Sequence, residues 1–285
     1  MVAVVAAPRS RRRIAVRDHR WILGLVPVLL LLVLAIIGPL ITPHSATDVV
    51  GDSSTAPNGT FWFGTDADGL DVFSRTLAAT RLNVEIATAV VLLATAGGVL
   101  IGLVVGMNES RRGPVGLAAR GLARFIDLVQ AVPAVLIGLV LVAFYGGNMT
   151  TLIAALSIVL VPIQMRLVRV EVLRVRGEAY VDAARMAGMT EAELTLRTVL
   201  PNSSRAALEN VSVVFALAVI LTAALGFLGV GMPPPTAEWG AMIAKGATDA
   251  ALNRWWAALF PTIALGLSVG AVSFSLNRVL HRLHE

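Results

Sequence analysis

The sequence predicts an all-α protein that crosses a lipid bilayer six times, with its N- and C-termini on the cytoplasmic side. Three observations point there. Of the 285 residues, 56% are apolar and only 14% charged, and the mean hydropathy is +0.79; an ordinary soluble domain carries about 25% charged residues. Uncharged runs recur at the length of about 20 residues that one crossing requires. The basic residues fall between these runs, alternately dense and sparse. That pattern encodes orientation across a membrane rather than a nucleic-acid surface, despite the net charge of +5.

Residues 1–20 form a basic tail holding Arg9, Arg11, Arg12, Arg13, Arg17 and Arg20. The first span, 21–41, rests on the uncharged run Ile22 to Ile41. It reads as an uncleaved anchor, because a signal peptide has an apolar core of about 7–15 residues before a small-residue cleavage site. Here the run is longer and ends in Pro39-Leu40-Ile41-Thr42-Pro43. Residues 42–83 form the one sizeable outer loop, with Asp71 to Arg81 as an amphipathic elbow on the interface.

The second span is Ile86 to Asn108. Leu128 to Met165 holds no charge and is too long for one crossing, and Gly146-Gly147-Asn148 in its middle reads as a tight turn. It divides into spans at 125–145 and 149–166. An inside segment, 167–207, precedes spans at Val211 to Gly231 and Trp255 to Asn277, so that 84–280 forms a five-helix core. With this division all but four of the 23 basic residues lie inside, leaving Arg75, Arg81, Lys245 and Arg254 outside. Pro27, Pro39, Pro133 and Pro162 mark kinks.

Several chemistries are excluded. No cysteine is present, so there is neither disulfide nor thiolate metal site. A phosphate-cradling loop needs a lysine that reaches the phosphates, and the only lysine, Lys245, falls on the outer face. Ion-coupled transporters keep ionisable groups near the bilayer midplane. The spans here offer only Asp127, expected to pair with Arg124 or Arg120, and Glu85 and Glu209 at span ends. No His-Glu-x-x-His set suggests a membrane-embedded enzyme, and His281 and His284 on the basic tail lack further ligands. Asp66-Ala-Asp68-Gly69-Leu-Asp71 lacks the spacing and distal glutamate of a calcium loop and reads as a turn and helix cap. What remains is an apolar passage whose energy comes from outside the chain.

The inside segment is where that energy would enter. Glu178 to Gly188 reads as a short helix ended by glycine. Thr190 with Glu193 is a capping box that opens a second short helix, which Leu200-Pro201-Asn202 stops. The pair presents Ala183, Ala184, Met186, Ala187 and Met189, flanked by Asp182 and Arg185. So short a helix is marginal alone in water, and it gains order from a partner surface or by lying on lipid headgroups.

Glu178, Tyr180, Val181, Ala183, Ala184, Arg185 and Gly188, followed by Leu200-Pro201-Asn202, resemble the EAA loop of ATP-binding-cassette importer permeases. Outside, Phe63-Gly64-Thr65-Asp66, Gly69, Asp71, Val72, Phe73, Ser74, Arg75 and Arg81 resemble the segment before the second span in the dipeptide/oligopeptide/nickel group. Phe227-Leu228-Gly229, Gly231, Pro234-Pro235-Thr236 and Trp239-Gly240 resemble that group's stretch after the fifth span. Asp127, Pro133, Trp256, Phe260 and Pro261 fit as well. The resemblance covers residues 20 to 280 and is closest to the C-type dipeptide subunits; it departs at Leu70, where an arginine is common, and over Thr248 to Trp255.

The resemblance implies a type I importer permease fold in a bacterial plasma membrane, and no cofactor in this chain. It implies a homologous second permease completing the channel, and two cytoplasmic ATPase subunits, or one fused chain, that bind ATP and Mg. An extracytoplasmic binding protein would deliver di- or oligopeptides, with nickel, haem or another small solute as alternative cargo and no role for nucleic acid. The implied coupling face is Glu178, Tyr180, Ala183, Ala184, Arg185, Gly188, Leu200 and Pro201. A stand-alone channel would have no use for such a loop.

Overall fold

The computed structural model describes residues 23–283, with side chains to residue 279. The arginines of the 1–20 tail and the side chains of His281, Arg282 and His284 lie outside what is described, as do both chain ends.

The described chain is helical throughout, apart from the outer loop and short turns. Helix α1 (Val26–Ile37) runs into a 3₁₀ turn at Gly38–Leu40. Its described part is shorter than a crossing requires. Helix α2 (Val72–Asn108) has 37 residues and is capped by Asp71, whose carboxylate accepts the Ser74 N–H. At 1.5 Å per residue it is about 55 Å long, well beyond a hydrocarbon core of about 30 Å. The segment Asp71 to Arg81, expected as a separate elbow, therefore forms the first turns of α2; with no proline or glycine between Val72 and Arg81, nothing breaks the hydrogen-bond ladder there.

The third span, expected over 125–145, is not one continuous helix. Helix α3 (Pro114–Val129) and helix α4 (Ala134–Tyr145) meet at 90° within it. Pro133 sits at the break: it has no N–H to continue α3 and pushes Val132 away from helical geometry. Gly146, at φ +87°, makes the expected turn, and Asn148 caps helix α5 (Met149–Arg176) through the Thr151 N–H. Beyond it come α6 (Ala179–Met186), α7 (Glu191–Leu194), a π-helical turn at Thr195–Val199, α8 (Leu200–Glu209), α9 (Val211–Phe227), α10 (Trp239–Ala250) and α11 (Trp256–Leu283). By length and composition three helices can each cross a bilayer, at Val72–Asn108, Met149–Arg176 and Trp256–Val279, and counting each bent pair as one brings the number to five.

The core is built on α2 and α5, which run parallel, Gly98, Gly102 and Gly106 meeting Gln164, Val168 and Val172 in the same order. Gly98, Gly102 and Gly106 recur every fourth residue along one stripe of α2. A Cβ on Gly102 would stand 2.7 Å from the Met165 carbonyl, and one on Gly106 2.7 Å from Val172 Cγ1. The glycines let the two backbones approach as small-residue ridges do between membrane helices. Ile86, Val90 and Ala94 of α2, Leu152, Leu156 and Leu160 of α5 and Val214, Ala218 and Leu225 of α9 fill the main cluster. Leu92, Leu93, Leu100 and Val104 of α2 and Leu267 of α11 stay on an exposed apolar surface, as expected where lipid is the solvent.

Candidate functional site

The chain has two polar ends. Arg176 Nη1 donates to the Gly106 carbonyl at 2.8 Å and Arg169 Nε to Glu109 at 2.6 Å, so the arginine-rich segments 106–112 and 166–205 gather at one end. Arg75 and Lys245, two of the four cations assigned to the other side, stand at the opposite end. Asp127, in the last turn of α3, pairs with Arg166 of α5 at 3.0 Å rather than with Arg124 or Arg120 on its own helix.

At the arginine-rich end, Glu178 leads into α6 in extended backbone and its carboxylate accepts from Arg174 at 3.0 Å. Gly188 ends the helix at φ +89°. Its N–H donates to the Arg185 carbonyl and the Met189 N–H to the Ala184 carbonyl, a paired closure that requires a left-handed residue at position 188. Thr190 and Glu193 then form both halves of the capping box that opens α7. Arg185 ties the two helices together, donating to Asp182 at 3.1 Å and Glu191 at 2.9 Å. The Glu191 hydrogen bond leads in holding its guanidinium more firmly protonated than usual.

Val181, Leu194, Val199 and Ala207 are completely buried against Leu103, Met107, Val168, Val172 and Val175. This inner cluster seats the segment on the ends of α2 and α5. The opposite face is open: Tyr180 is 47% and Met186 84% exposed, with Ala183, Ala187 and Gly188 exposed beside them and Ala184 half-buried. Leu200 packs onto the inner cluster, while Pro201 is exposed in the first turn of α8. The expected stop at Leu200-Pro201-Asn202 does not occur. The Leu200 N–H reaches back to the Thr195 carbonyl, and this π-helical widening, with Pro201 in the first turn after it, lets the chain pass through the proline still coiled.

At the opposite end, Gly64 and Gly69 have φ of +72° and +77°, and neither has room for a Cβ. Thr65 Oγ1 donates to the Asp52 carbonyl at 2.6 Å, and the Thr65 carbonyl accepts the Trp256 indole N–H at 3.0 Å. Asp66 accepts the Asp68 and Leu70 N–H groups, and Asp71 caps α2, so this acidic stretch does turn and cap duty. Arg75 Nη1 donates to the Ala46 carbonyl at 2.7 Å and the Pro235 carbonyl at 3.3 Å, joining the loop to the cis Pro234-Pro235 segment. Burial pushes the Asp66 carboxyl up, against the Leu70 N–H and the Arg75 charge 3.9 Å away. Trp239 is fully buried, its indole N–H on the Thr76 carbonyl at 3.1 Å, and Gly240 lies directly against Ala223 of α9. The two outer motifs thus form one platform around a 110 Å³ recess that includes Asp66, Asp68, Arg75, Pro234, Pro235 and Lys245.

Two features escaped the sequence reading. Helix α10 was not expected, because residues 239–250 mix apolar, small and polar types without a long apolar run. Glu238, beside Trp239-Gly240, caps it. It is completely buried, accepts the Gly240 and Ala241 N–H groups at 2.7 and 2.9 Å, and lies in a cradle made by Gly226 and Gly231. Burial pushes its carboxyl up to about 7 against those two bonds. An acidic residue immediately ahead of the apolar helix start at Trp239 was the available signal.

Residues 98–284 match the family described as the binding-protein-dependent transport system inner membrane component. The chain belongs to this family. It is a membrane-embedded permease subunit of an ATP-binding-cassette importer. Over 257 residues, 88% of this chain and 82% of the relative, it is 32% identical to the di/tripeptide transport system permease protein DppC of Pseudomonas aeruginosa. Its fold is similar to that of a chain of the MetNI methionine ABC transporter in an inward-facing conformation, with TM-score 0.55 and 17% identity over 70% of this chain and 93% of that one. An amino acid ABC transporter crystallised with histidines gives TM-score 0.50 and 19% identity over 74% of this chain and 94% of that chain. For this permease the likeness covers both polar ends and the helices between them.

Proposed function

We propose that this permease pairs with a second, homologous permease to import di- and oligopeptides handed over by an extracytoplasmic binding protein. Partner ATPase subunits, two chains or one fused, bind ATP and Mg and supply the drive; this chain hydrolyses nothing. The observation that carries the cargo assignment is the 32% identity to a di/tripeptide permease along 88% of the chain. Supporting the coupling role is the exposed face around Tyr180, Ala183, Met186 and Gly188, which is small or pliable on a rigidly capped and buttressed segment. A partner gripping that face moves the 178–209 segment as a body, because Arg185 clamps its two helices and the inner cluster seats it. The outer platform, held by Arg75 and Trp239, offers a stiff polar surface with Asp66, Asp68 and Lys245 around a shallow recess, suited to a soluble protein partner.

The test is uptake of a radiolabelled dipeptide by a strain deleted for this gene, together with affinity purification of the detergent-solubilised chain. The expected result is lost uptake, restored by the gene, and co-purification of an ATPase and a second permease. Undiminished uptake in the deletion strain overturns the cargo assignment, and ATP hydrolysis by the chain alone overturns the division of labour.

A further inference from the structure

Gln164 is a completely buried amide in α5, two residues after Pro162. Its partners come from three other places. Nε2 donates to Thr95 Oγ1 on α2 at 2.9 Å and to the Ala207 carbonyl on α8 at 3.1 Å, while Oε1 accepts from Asn210 Nδ2 at 3.3 Å. Both donors and an acceptor of the amide are thus engaged. The Thr95 bond faces the glycine stripe of α2, where Gly98 leaves no space between its backbone and the Gln164 side chain.

The other two bonds fall on either side of a joint. Helices α8 and α9 meet at Asn210 with a bend of 46° at that single residue. In a straight helix the Ala207 carbonyl would be answered by the N–H four residues on, that of Val211. Here it accepts from Gln164, and the Asn210 side chain closes on the same amide from the far side of the bend. A leucine would fill the same volume but would leave both the carbonyl and the asparagine amide without this partner. This side chain therefore ties both sides of the bend to the closely packed α2–α5 pair.

We propose that Gln164 is a positioning residue for transport: it locks the α8–α9 joint to the α2–α5 pair, so that displacement of segment 178–209 is transmitted to α9 rather than absorbed by flexing at Asn210. This rests on the reading of 178–209 as the place where the ATPase acts. The residue touches neither cargo nor nucleotide; it sets how much of the stroke reaches the span.

The test uses the whole importer, purified with its partners and reconstituted in proteoliposomes with its binding protein. Radiolabelled dialanine serves as probe cargo, and dipeptide taken up per ATP hydrolysed is the readout. Gln164→Leu and, separately, Asn210→Ala are expected to assemble and hydrolyse ATP yet lose about tenfold in that ratio. A spin label at exposed Leu228, just past the end of α9, should lose its nucleotide-dependent shift, while one at exposed Leu196 keeps it. A purely structural amide would lower yield and melting temperature but leave the ratio of the assembled fraction unchanged. Should Gln164→Leu reduce yield too far, Asn210→Ala, at a part-buried position, carries the same measurement. Ala184→Asp in the coupling face separates the two levels. If it is defective while Gln164→Leu and Asn210→Ala keep the wild-type ratio, the proposal fails at Gln164; if Ala184→Asp transports normally, it fails at its premise.

Discussion

Trp239 and Thr76 are 163 residues apart in the chain, yet the indole N–H of the first donates to the main-chain carbonyl of the second at 3.1 Å inside a fully buried pocket. This bond attaches the start of α10 to α2, so the stretch between the fifth and sixth predicted spans is fastened to the bundle.

Trp239→Ala should destabilise the folded chain by about 3–5 kcal/mol, the usual cost of deleting a buried tryptophan. Trp239→Phe should cost about 1–2 kcal/mol for the missing donor and lost volume. Thermal unfolding in detergent gives the ranking, and limited proteolysis should cut first within 228–255 in the alanine variant. Equal melting temperatures for wild type and Trp239→Ala would contradict the anchoring role.

Stability should fall as pH rises through the neutral range. Glu238 holds its proton to about pH 7 in the folded protein, whereas an exposed glutamate releases it near 4.5. Between these values the native state binds more protons than the unfolded one, so this contribution is full below about pH 4.5, declines by about 3 kcal/mol as the pH climbs through about 7, and levels off above it. Glu238→Gln should flatten that slope even where losing one acceptor lowers the melting temperature at every pH. Melting curves at pH 5, 6, 7 and 8, with the pH values chosen to span about this window, decide it; an unchanged slope in the variant assigns the effect elsewhere.

Gly102→Ala should cost about 1–3 kcal/mol, because its Cβ would press on the Met165 carbonyl of α5, and backbone cannot swing aside. Gly266→Ala on α11 is the matched control. A Cβ there meets nothing within 4 Å, so the substitution should be neutral or stabilise by up to about 1 kcal/mol through helix propensity. Comparable losses at both sites would refute close backbone packing as the reason for the stripe.

Gly188→Leu forces a branched side chain into left-handed backbone, worth about 1–2 kcal/mol of strain. Within this chain a Cβ at 188 meets open space. The variant should therefore insert into membranes at near-normal yield while binding-protein-dependent uptake falls to background, as should Ala184→Asp. Normal uptake by both would remove the coupling assignment.

The parts of the fold legible in the sequence are those whose cause is local. Thr190 and Glu193 announce a helix start because both partners lie within one turn, and Gly188 announces an end because the left-handed conformation excludes most other residues. Apolar run length locates crossings, but it does not register a change of direction, which is why 125–145 was read as one span across the 90° corner at Pro133. Pro201 misled for the opposite reason: a proline normally stops a helix, and only the π-helical turn before it removes the conflict. The outer motifs were visible as residues, but their joining through Arg75 to Pro235 depends on a contact 160 positions away. Gln164 gives no signal, since a single polar residue beside an apolar run is defined only by partners that the fold brings to it, as Thr95 is brought to Gln164 across 69 residues.

The stripe at Gly98, Gly102 and Gly106 also dictates where this protein is free to change over generations. Each stripe position tolerates almost no replacement, whereas Leu100 and Val104, pointing outward between them, can drift among apolar residues without disturbing any neighbour. A saturation library along α2 would then show intolerance recurring every fourth codon, and compensating variants would cluster opposite, at Met165, Val168 and Val172.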